Sequence, residues 1–128
     1  MPYPQSVMEI QIFGLLDSRP TRAALRFFAE RRIRVAFVDL RRRPIAPGEL
    51  RRFVERLGAR SLLDEGSRAY AAGGLRYLRL DEAEIVERLL ADPTLLRLPL
   101  GRYGSEVAVG NDEAAWQRWA MAVRTRPT

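Results

Sequence analysis

From position 14 to position 22 the chain reads Gly14-Leu15-Leu16-Asp17-Ser18-Arg19-Pro20-Thr21-Arg22. This is a polar loop running into a helix, with Ser18 placed where a nucleophile or a hydrogen-bonding group would act. A cysteine there would sit at a helix N-terminus, ionise readily and attack an oxyanion or a disulfide near neutral pH. A serine hydroxyl attacks only when a base removes its proton. The chain contains no cysteine and no histidine, and all 22 of its basic residues are arginine. The commonest nucleophile, the commonest general base, the Schiff-base lysine and nearly every zinc, copper or haem ligand set are thereby excluded. What Ser18 can still do is donate or accept a hydrogen bond, and the plainest such role is to cap the helix that follows.

The rest of the composition bounds the answer further. At 128 residues the chain is read as one domain, large enough to bury a core without disulfides or a structural metal. The net charge of +6 suits anionic or acidic partners. The arginines are nevertheless scattered: Arg31, Arg32 and Arg34 at a helix end, Arg41, Arg42 and Arg43 after a strand, and Arg51, Arg52 and Arg56 along a helix. No aromatic-rich basic strand or recognition helix accompanies them, which argues against direct nucleic-acid binding. No apolar run approaches the ~20 residues of a membrane span, and no leader pattern opens the chain, so a cytoplasmic protein is expected.

Periodicity supplies the elements that position the loop. Met8, Ile10 and Ile12 alternate with Glu9, Gln11 and Phe13, predicting a strand over 7–13 behind a six-residue tail. Asp17 or Ser18 can cap a helix to about Arg32, with Pro20 in its first turn and Ala24, Leu25, Phe27 and Phe28 on its apolar face. A second strand over 35–40 must then lie parallel to the first through a right-handed crossover. An insert over about 48–92 reads as helical: 48–57 stopped by Gly58, a short turn over 59–63, an ambiguous stretch at 67–74, and a helix to about Ala91 opened by Asp81 and Glu84 in the manner of a capping box. Leu98-Pro99-Leu100 begins a hairpin that turns at Tyr103-Gly104-Ser105 and returns over 106–109. Asn111 can cap a last helix whose stripe is Ala115, Trp116, Trp119, Ala120 and Val123, ahead of a frayed tail at 124–128. The two tryptophans read as core, and Gly73-Gly74 as a breaker with none of the strand and helix order of a phosphate loop.

The order is βαβ, helices, β-hairpin, helix. It resembles an α/β thioredoxin-like fold: a four-stranded mixed sheet, parallel in its βαβ half and antiparallel in its hairpin, carrying a helical insert. The chain is similar over 9–113 to the glutaredoxin-dependent arsenate reductases and Spx-type transcriptional regulators. The resemblance is carried by Ile10-Gln11-Ile12-Phe13-Gly14, by Leu57-Gly58-Ala59-Arg60-Ser61-Leu62-Leu63, and by Leu90-Ala91-Asp92-Pro93-Thr94-Leu95-Leu96-Arg97-Leu98-Pro99-Leu100. It implies that Pro99 is cis and faces the active loop. It also places the family's catalytic cysteine on Ser18 and its three oxyanion-binding arginines on Asp64 or Gly66, on Leu98 and near Asn111. Nucleophile and clamp are both replaced, and only Arg68, two to four residues away, could stand in for the first arginine. The redox pair of the Spx-type regulators falls on Ser18 and Thr21.

A second, local resemblance covers about the first forty residues. Ser18-Arg19-Pro20-Thr21-Arg22 fits the Ser-x-Pro-x-Arg pattern of serine-type glutathione transferases. That likeness implies that the Ser18 hydroxyl donates to the glutathione sulfur while the helix N-terminus adds its dipole. It further implies that the Leu98 backbone beside Pro99 pairs with the cysteinyl backbone, and that Asn111 or Asp112 meets the γ-glutamyl end. Arg22 could contact a bound anion, or stay solvated or pair with a carboxylate such as Asp39 or Glu65.

Three readings follow. The first is a pseudoenzyme of the reductase family, with no metal or cofactor, that binds a protein partner. By family analogy that partner is the transcription machinery, in which the regulators engage the C-terminal domain of the α chain of RNA polymerase. The second is a glutathione-binding or transferase-like protein using Ser18. The third is a glutathione-dependent arsenate reductase with a rearranged site that includes Arg68. The residues favour binding over catalysis.

Overall fold

A computed structural model of the chain describes residues 9–125. Its contacts divide the chain into two compact units, one built from the chain up to Asp39 and from Leu98 onward, the other from Leu40–Arg97. The first holds the whole sheet: β1 (Ile10–Gly14), β2 (Val35–Asp39), β3 (Leu100–Tyr103) and β4 (Glu106–Val109), in the order β2-β1-β3-β4. β1 lies parallel to β2 with Ile12 opposite Phe37, and antiparallel to β3 with Phe13 opposite Leu100; β3 and β4 form the hairpin. This is the mixed, thioredoxin-like α/β sheet that the residue pattern predicts. The strand expected to start at Val7 begins at Ile10, and positions 7 and 8 lie outside the described residues with the rest of the N-terminal tail.

Two helices complete this unit, α1 (Arg19–Glu30) and α5 (Glu113–Thr125). Phe27 and Phe28 of α1 meet edge to face, with ring centroids 5.1 Å apart, and Trp116 of α5 packs against both at 5.7 and 6.5 Å. Trp116 and Trp119 are almost wholly buried and belong to the core with Ile10, Ile12, Ala24 and Tyr103, where burial of such large rings is the main stabilising term. The approach of α5 depends on Gly101. A Cβ at that position of β3 would come within 2.9 Å of the Trp119 ring. The helix predicted to be capped by Asn111 is capped instead by Asp112, whose Oδ1 accepts from the Ala115 N–H at 3.1 Å while its carbonyl accepts from Trp116 N–H. The two residues are equally good caps by type, and burial of Ala115 and Trp116 selects the frame that makes Asp112 the cap. α5 also continues through Thr125, past the predicted onset of the tail at 124; positions 126–128 lie outside the described residues.

The second unit, Leu40–Arg97, is helical. It contains α2 (Pro47–Leu57), α3 (Arg68–Ala72) and α4 (Glu82–Ala91), with 3-10 turns at Arg60–Leu62, Leu75–Tyr77 and Pro93–Leu95. Leu50, Phe53, Leu62, Tyr70, Leu75, Ile85, Leu89 and Leu95 are among its buried apolar side chains. Glu49 closes the start of α2 by accepting from the Ala46 N–H at 2.9 Å and from both Nη atoms of Arg43, a fork-to-fork geometry that only a guanidinium provides. Asp81 and Glu84 form the predicted reciprocal capping box, with both bonds at 2.8 Å.

One polar cluster ties β4 to α5. Glu106 accepts from Trp119 Nε1 at 2.8 Å and from Arg118 Nη2 at 2.8 Å. Burial alone would push the Glu106 carboxyl up; the hydrogen bonds from Arg118 and Trp119, together with the Arg118 charge, outweigh it and hold the group below the ordinary glutamate range. A carboxyl lowered in the folded state contributes stability above its unfolded pKa, and that contribution is lost as pH falls through the folded value. Glu106→Gln should therefore cost about 1 kcal/mol at neutral pH, after allowance for the exposure of the ion pair. Its melting temperature should also fall less than that of the parent between about pH 5 and pH 3, which thermal denaturation across that range will read.

Candidate functional site

The topology gathers the predicted residues of the first unit at one end of the sheet. β1 ends at Gly14 and the polar loop leaves from there. β3 starts at Leu100 opposite Phe13, so Leu98 and Pro99 lie beside that same end, and β4 finishes there with Val109 opposite Leu100. Gly110 N–H donates to the Pro99 carbonyl at 2.9 Å, which brings Asn111 and Asp112 to the same end. The Leu98–Pro99 peptide is cis. Among the described residues the backbone N–H and C=O of Leu98 make no hydrogen bond.

Ser18 is the N-cap of α1. Its backbone is extended, at φ −87° and ψ 121°, its Oγ accepts from the Thr21 N–H at 3.3 Å, and its own N–H donates to the Leu15 carbonyl at 2.9 Å. The first turn of α1 carries no acidic residue, and Arg19 opens the helix. Arg22 turns back on the loop, its Nη1 donating to the Leu16 carbonyl at 2.9 Å. The guanidinium thus braces the loop that leads to Ser18. Asn111 is exposed at the end of the hairpin, and Asp112 is committed to its capping bond.

The positions that the arginine clamp would occupy hold other structure. Asp64 Oδ1 accepts from Gly66 N–H at 3.1 Å and the Asp64 carbonyl accepts from Ser67 Oγ at 2.8 Å, making a tight turn that Ser67 continues by capping α3 through Tyr70 N–H. Arg68 is the exposed first residue of α3, in the second unit. Leu98 is a buried apolar side chain.

The sequence pattern missed the part played by Thr21. Its side chain is fully buried, and Oγ1 has no hydrogen-bond partner among the described residues. It stands over the end of β1, where a Cβ on Gly14 would come within 2.5 Å of both Oγ1 and Cγ2. Glycine at 14 is what lets the first turn of α1 sit directly on the strand. The available signal was the spacing Gly14-x6-Thr21 across the loop, which hydrophobic periodicity does not weigh.

A family model of the ArsC family matches residues 17–119. The chain belongs to the ArsC family. Solved structures agree in fold. The YffB protein superimposes with a TM-score of 0.80 at 21% identity over 87% of this chain and 98% of that one. The arsenate reductase from Vibrio cholerae gives 0.75 at 16% over 88% and 98%, and an arsenate reductase (ArsC) related protein from Brucella melitensis gives 0.64 at 20% over 92% and 97%. No curated protein sequence matches. In this ArsC-family chain the loop before α1 carries Ser18 as its helix cap, lies at the same end of the sheet as the cis Leu98–Pro99 peptide, and holds no sulfur.

Packing at Gly14 sets two opposite expectations. Gly14→Ala should destabilise by about 1–3 kcal/mol, because the added methyl meets Thr21 with no room to move. Thr21→Val keeps the shape and removes a buried hydroxyl that has no partner, so it should be neutral or stabilising by up to about 1 kcal/mol. Urea denaturation of the two variants measures both.

Proposed function

We propose that this ArsC-family protein acts by binding, as a non-redox and regulatory relative of the reductases. The observation that carries the reading is Ser18: the family's nucleophile position holds a hydroxyl that serves as a helix cap, in a chain with no cysteine and no histidine to activate it. The replacement of the clamp by Asp64, Gly66, Leu98 and Asn111 supports the same conclusion, since an oxyanion needs fixed cations as much as a nucleophile. By analogy with the Spx-type regulators its partner would be a protein of the transcription machinery, and the protein would act in the cytoplasm.

A second reading is favoured by one specific feature. The cis Leu98–Pro99 peptide, with the Leu98 backbone groups unpaired among the described residues, lies at the same end of the sheet as the Ser18 hydroxyl. An extended peptide such as the backbone of glutathione could pair with Leu98 while its sulfur accepts from Ser18, with Asn111 and Asp112 near the γ-glutamyl end.

Three measurements separate the readings. Arsenate, glutathione and glutaredoxin together should give no turnover; turnover that disappears in Arg68→Ala would overturn the non-redox proposal in favour of a rearranged reductase. Glutathione titrated to millimolar levels should move amide resonances of Ser18 and Leu98 if the second reading holds, and a flat titration removes it. Ser18→Cys should yield a thiol that titrates below the free value of about 8.5, which shows what the helix N-terminus still offers an anion. An absorbance titration of the thiolate reads that value directly.

A further inference from the structure

Charge in the second unit is unevenly placed. The stretch from Arg41 to Arg60 holds seven arginines and two glutamates, so it carries five of the chain's six excess positive charges. Leu50 and Phe53 form the buried side of α2. Arg51, Arg52 and Arg56 are exposed on that helix, and Arg42 is exposed in the connection before it. Helical spacing sets Arg52 and Arg56 in one row, a turn apart, with about 6 Å between their Cβ atoms. Gly48 comes one turn earlier in the row, and a Cβ there would meet nothing within 4 Å, so that end of the row is open. Glu49 ties Arg43 to the same face. Hydrogen bonds from the Arg43 guanidinium hold its carboxyl below the ordinary glutamate range against partial burial, and the neighbouring Arg52 charge adds to the effect.

Glu49 is committed to Arg43 and to the Ala46 N–H. Among the described residues the guanidinium groups of Arg42, Arg51, Arg52 and Arg56 make no ion pair and no hydrogen bond. Arg56 suits the last turn of α2 by its charge, but Arg52 one turn before it repels it. An anion bridging the two converts that repulsion into attraction. The character of the face selects the anion. Phe53, the one aromatic residue of the stretch, is buried, so no ring is offered for bases to stack on. Glu55 stands exposed one turn after Arg51, where a phosphate backbone would be repelled. A polypeptide meets both conditions: carboxylates a turn apart on a helix match Arg52 and Arg56, each forked as Glu49 is by Arg43, and a donor group can face Glu55.

We propose that the exposed side of α2, with Arg42, Arg51, Arg52 and Arg56, is the docking surface for an acidic segment of a partner protein, whose carboxylates one helical turn apart lie on Arg52 and Arg56. The proposal rests on the reading of this chain as a protein-binding relative of the reductases, and it names the chemistry of the partner. Exposed ion pairs contribute little one at a time, so the affinity comes from several carboxylates engaging together.

The probe is a fluorescein-labelled, alanine-based peptide of about 20 residues, long enough to be helical, with glutamates one turn apart. Fluorescence polarisation with the full chain should show binding that weakens as salt shortens the Debye length. Arg52→Gln with Arg56→Gln should weaken it at least about fivefold. Arg26→Gln with Arg34→Gln removes the same charge from exposed positions of the other unit and should leave it within about twofold at 0.1 M salt, where charges more than ~10 Å away are screened. Gly48→Glu should also weaken binding, because the new carboxylate competes for Arg52, while raising the melting temperature, because an acidic residue replaces glycine in the first turn of a helix. A purely structural effect would move the two together. Absence of binding overturns the proposal, and so do equal losses from both glutamine pairs, which reduce the effect to net charge. Tighter binding of single-stranded DNA of matching charge, lost in the Arg52 and Arg56 variant, assigns the face to nucleic acid instead; self-association of the chain lost in that variant assigns it to a second copy. Arsenate turnover is read in a separate assay, so failure here leaves the non-redox reading standing.

Discussion

The geometry of the loop end rests on the contact between Gly14 and Thr21. A helix following a strand must place its first turn somewhere, and here it is set directly on the last residue of β1, because that residue presents no side chain and Thr21 fills the space left. The seating fixes the start of α1, hence the position of Ser18 three residues earlier, hence which way its hydroxyl points. The Arg22 bond to Leu16 then braces the loop from outside. Register does the rest: with Phe13 opposite Leu100, the cis Leu98–Pro99 peptide has to lie beside the end of β1. None of these steps requires a nucleophile. Packing and the Arg22 bond hold this loop in place.

Electrostatics gives a reason why the nucleophile and the cations that the resemblance implies would be replaced together. A thiolate at position 18 would be stabilised by nearby cations and would need them to hold an oxyanion. A neutral hydroxyl gains nothing from such a cluster, and arginines packed together with no anion between them would repel one another. On the proposed reading, the positions that the resemblance assigns to arginines hold a buried leucine at 98, the Asp64 to Gly66 turn and the neutral Asn111, none of them a cation. The arginines that remain are mostly solvent-facing or bonded to carboxylates, as Arg43 is to Glu49 and Arg118 to Glu106.

Much of this was legible in the residues, for reasons that differ from element to element. The sheet and α1 declare themselves because alternation and the i, i+3, i+4 stripe reflect burial on one face. The Asp81 and Glu84 box is read directly because both partners are named by type and spacing. The cap of α5 is not, because Asn111 and Asp112 are chemically equivalent as caps and only the burial of Trp116 and Trp119 fixes the frame. α3 is ambiguous in sequence since five residues between a turn and two glycines are too few to show a period, and the 3-10 turn at Leu75–Tyr77 has no period at all. Thr21 escapes for another reason: a polar residue near a helix start is ordinarily exposed, and its burial depends on a glycine seven positions away.

The two roles for Ser18, helix cap and sulfur ligand, are alternatives only while the hydroxyl is treated as a single valence. As a cap it accepts, through an oxygen lone pair, from the Thr21 N–H. The hydroxyl hydrogen and a second lone pair remain. The hydrogen is the group a thiolate would accept from, so capping holds the side chain in the orientation that sulfur binding would exploit, and it does so without a ligand. A cap bond of 3.3 Å is also long enough to be given up in part with little loss of stability. The same atom stabilises the helix in the free protein, and on the second proposed reading it would also donate to a sulfur. A serine at this position is explained by the first role alone, and the second would use the hydroxyl hydrogen that the cap leaves over.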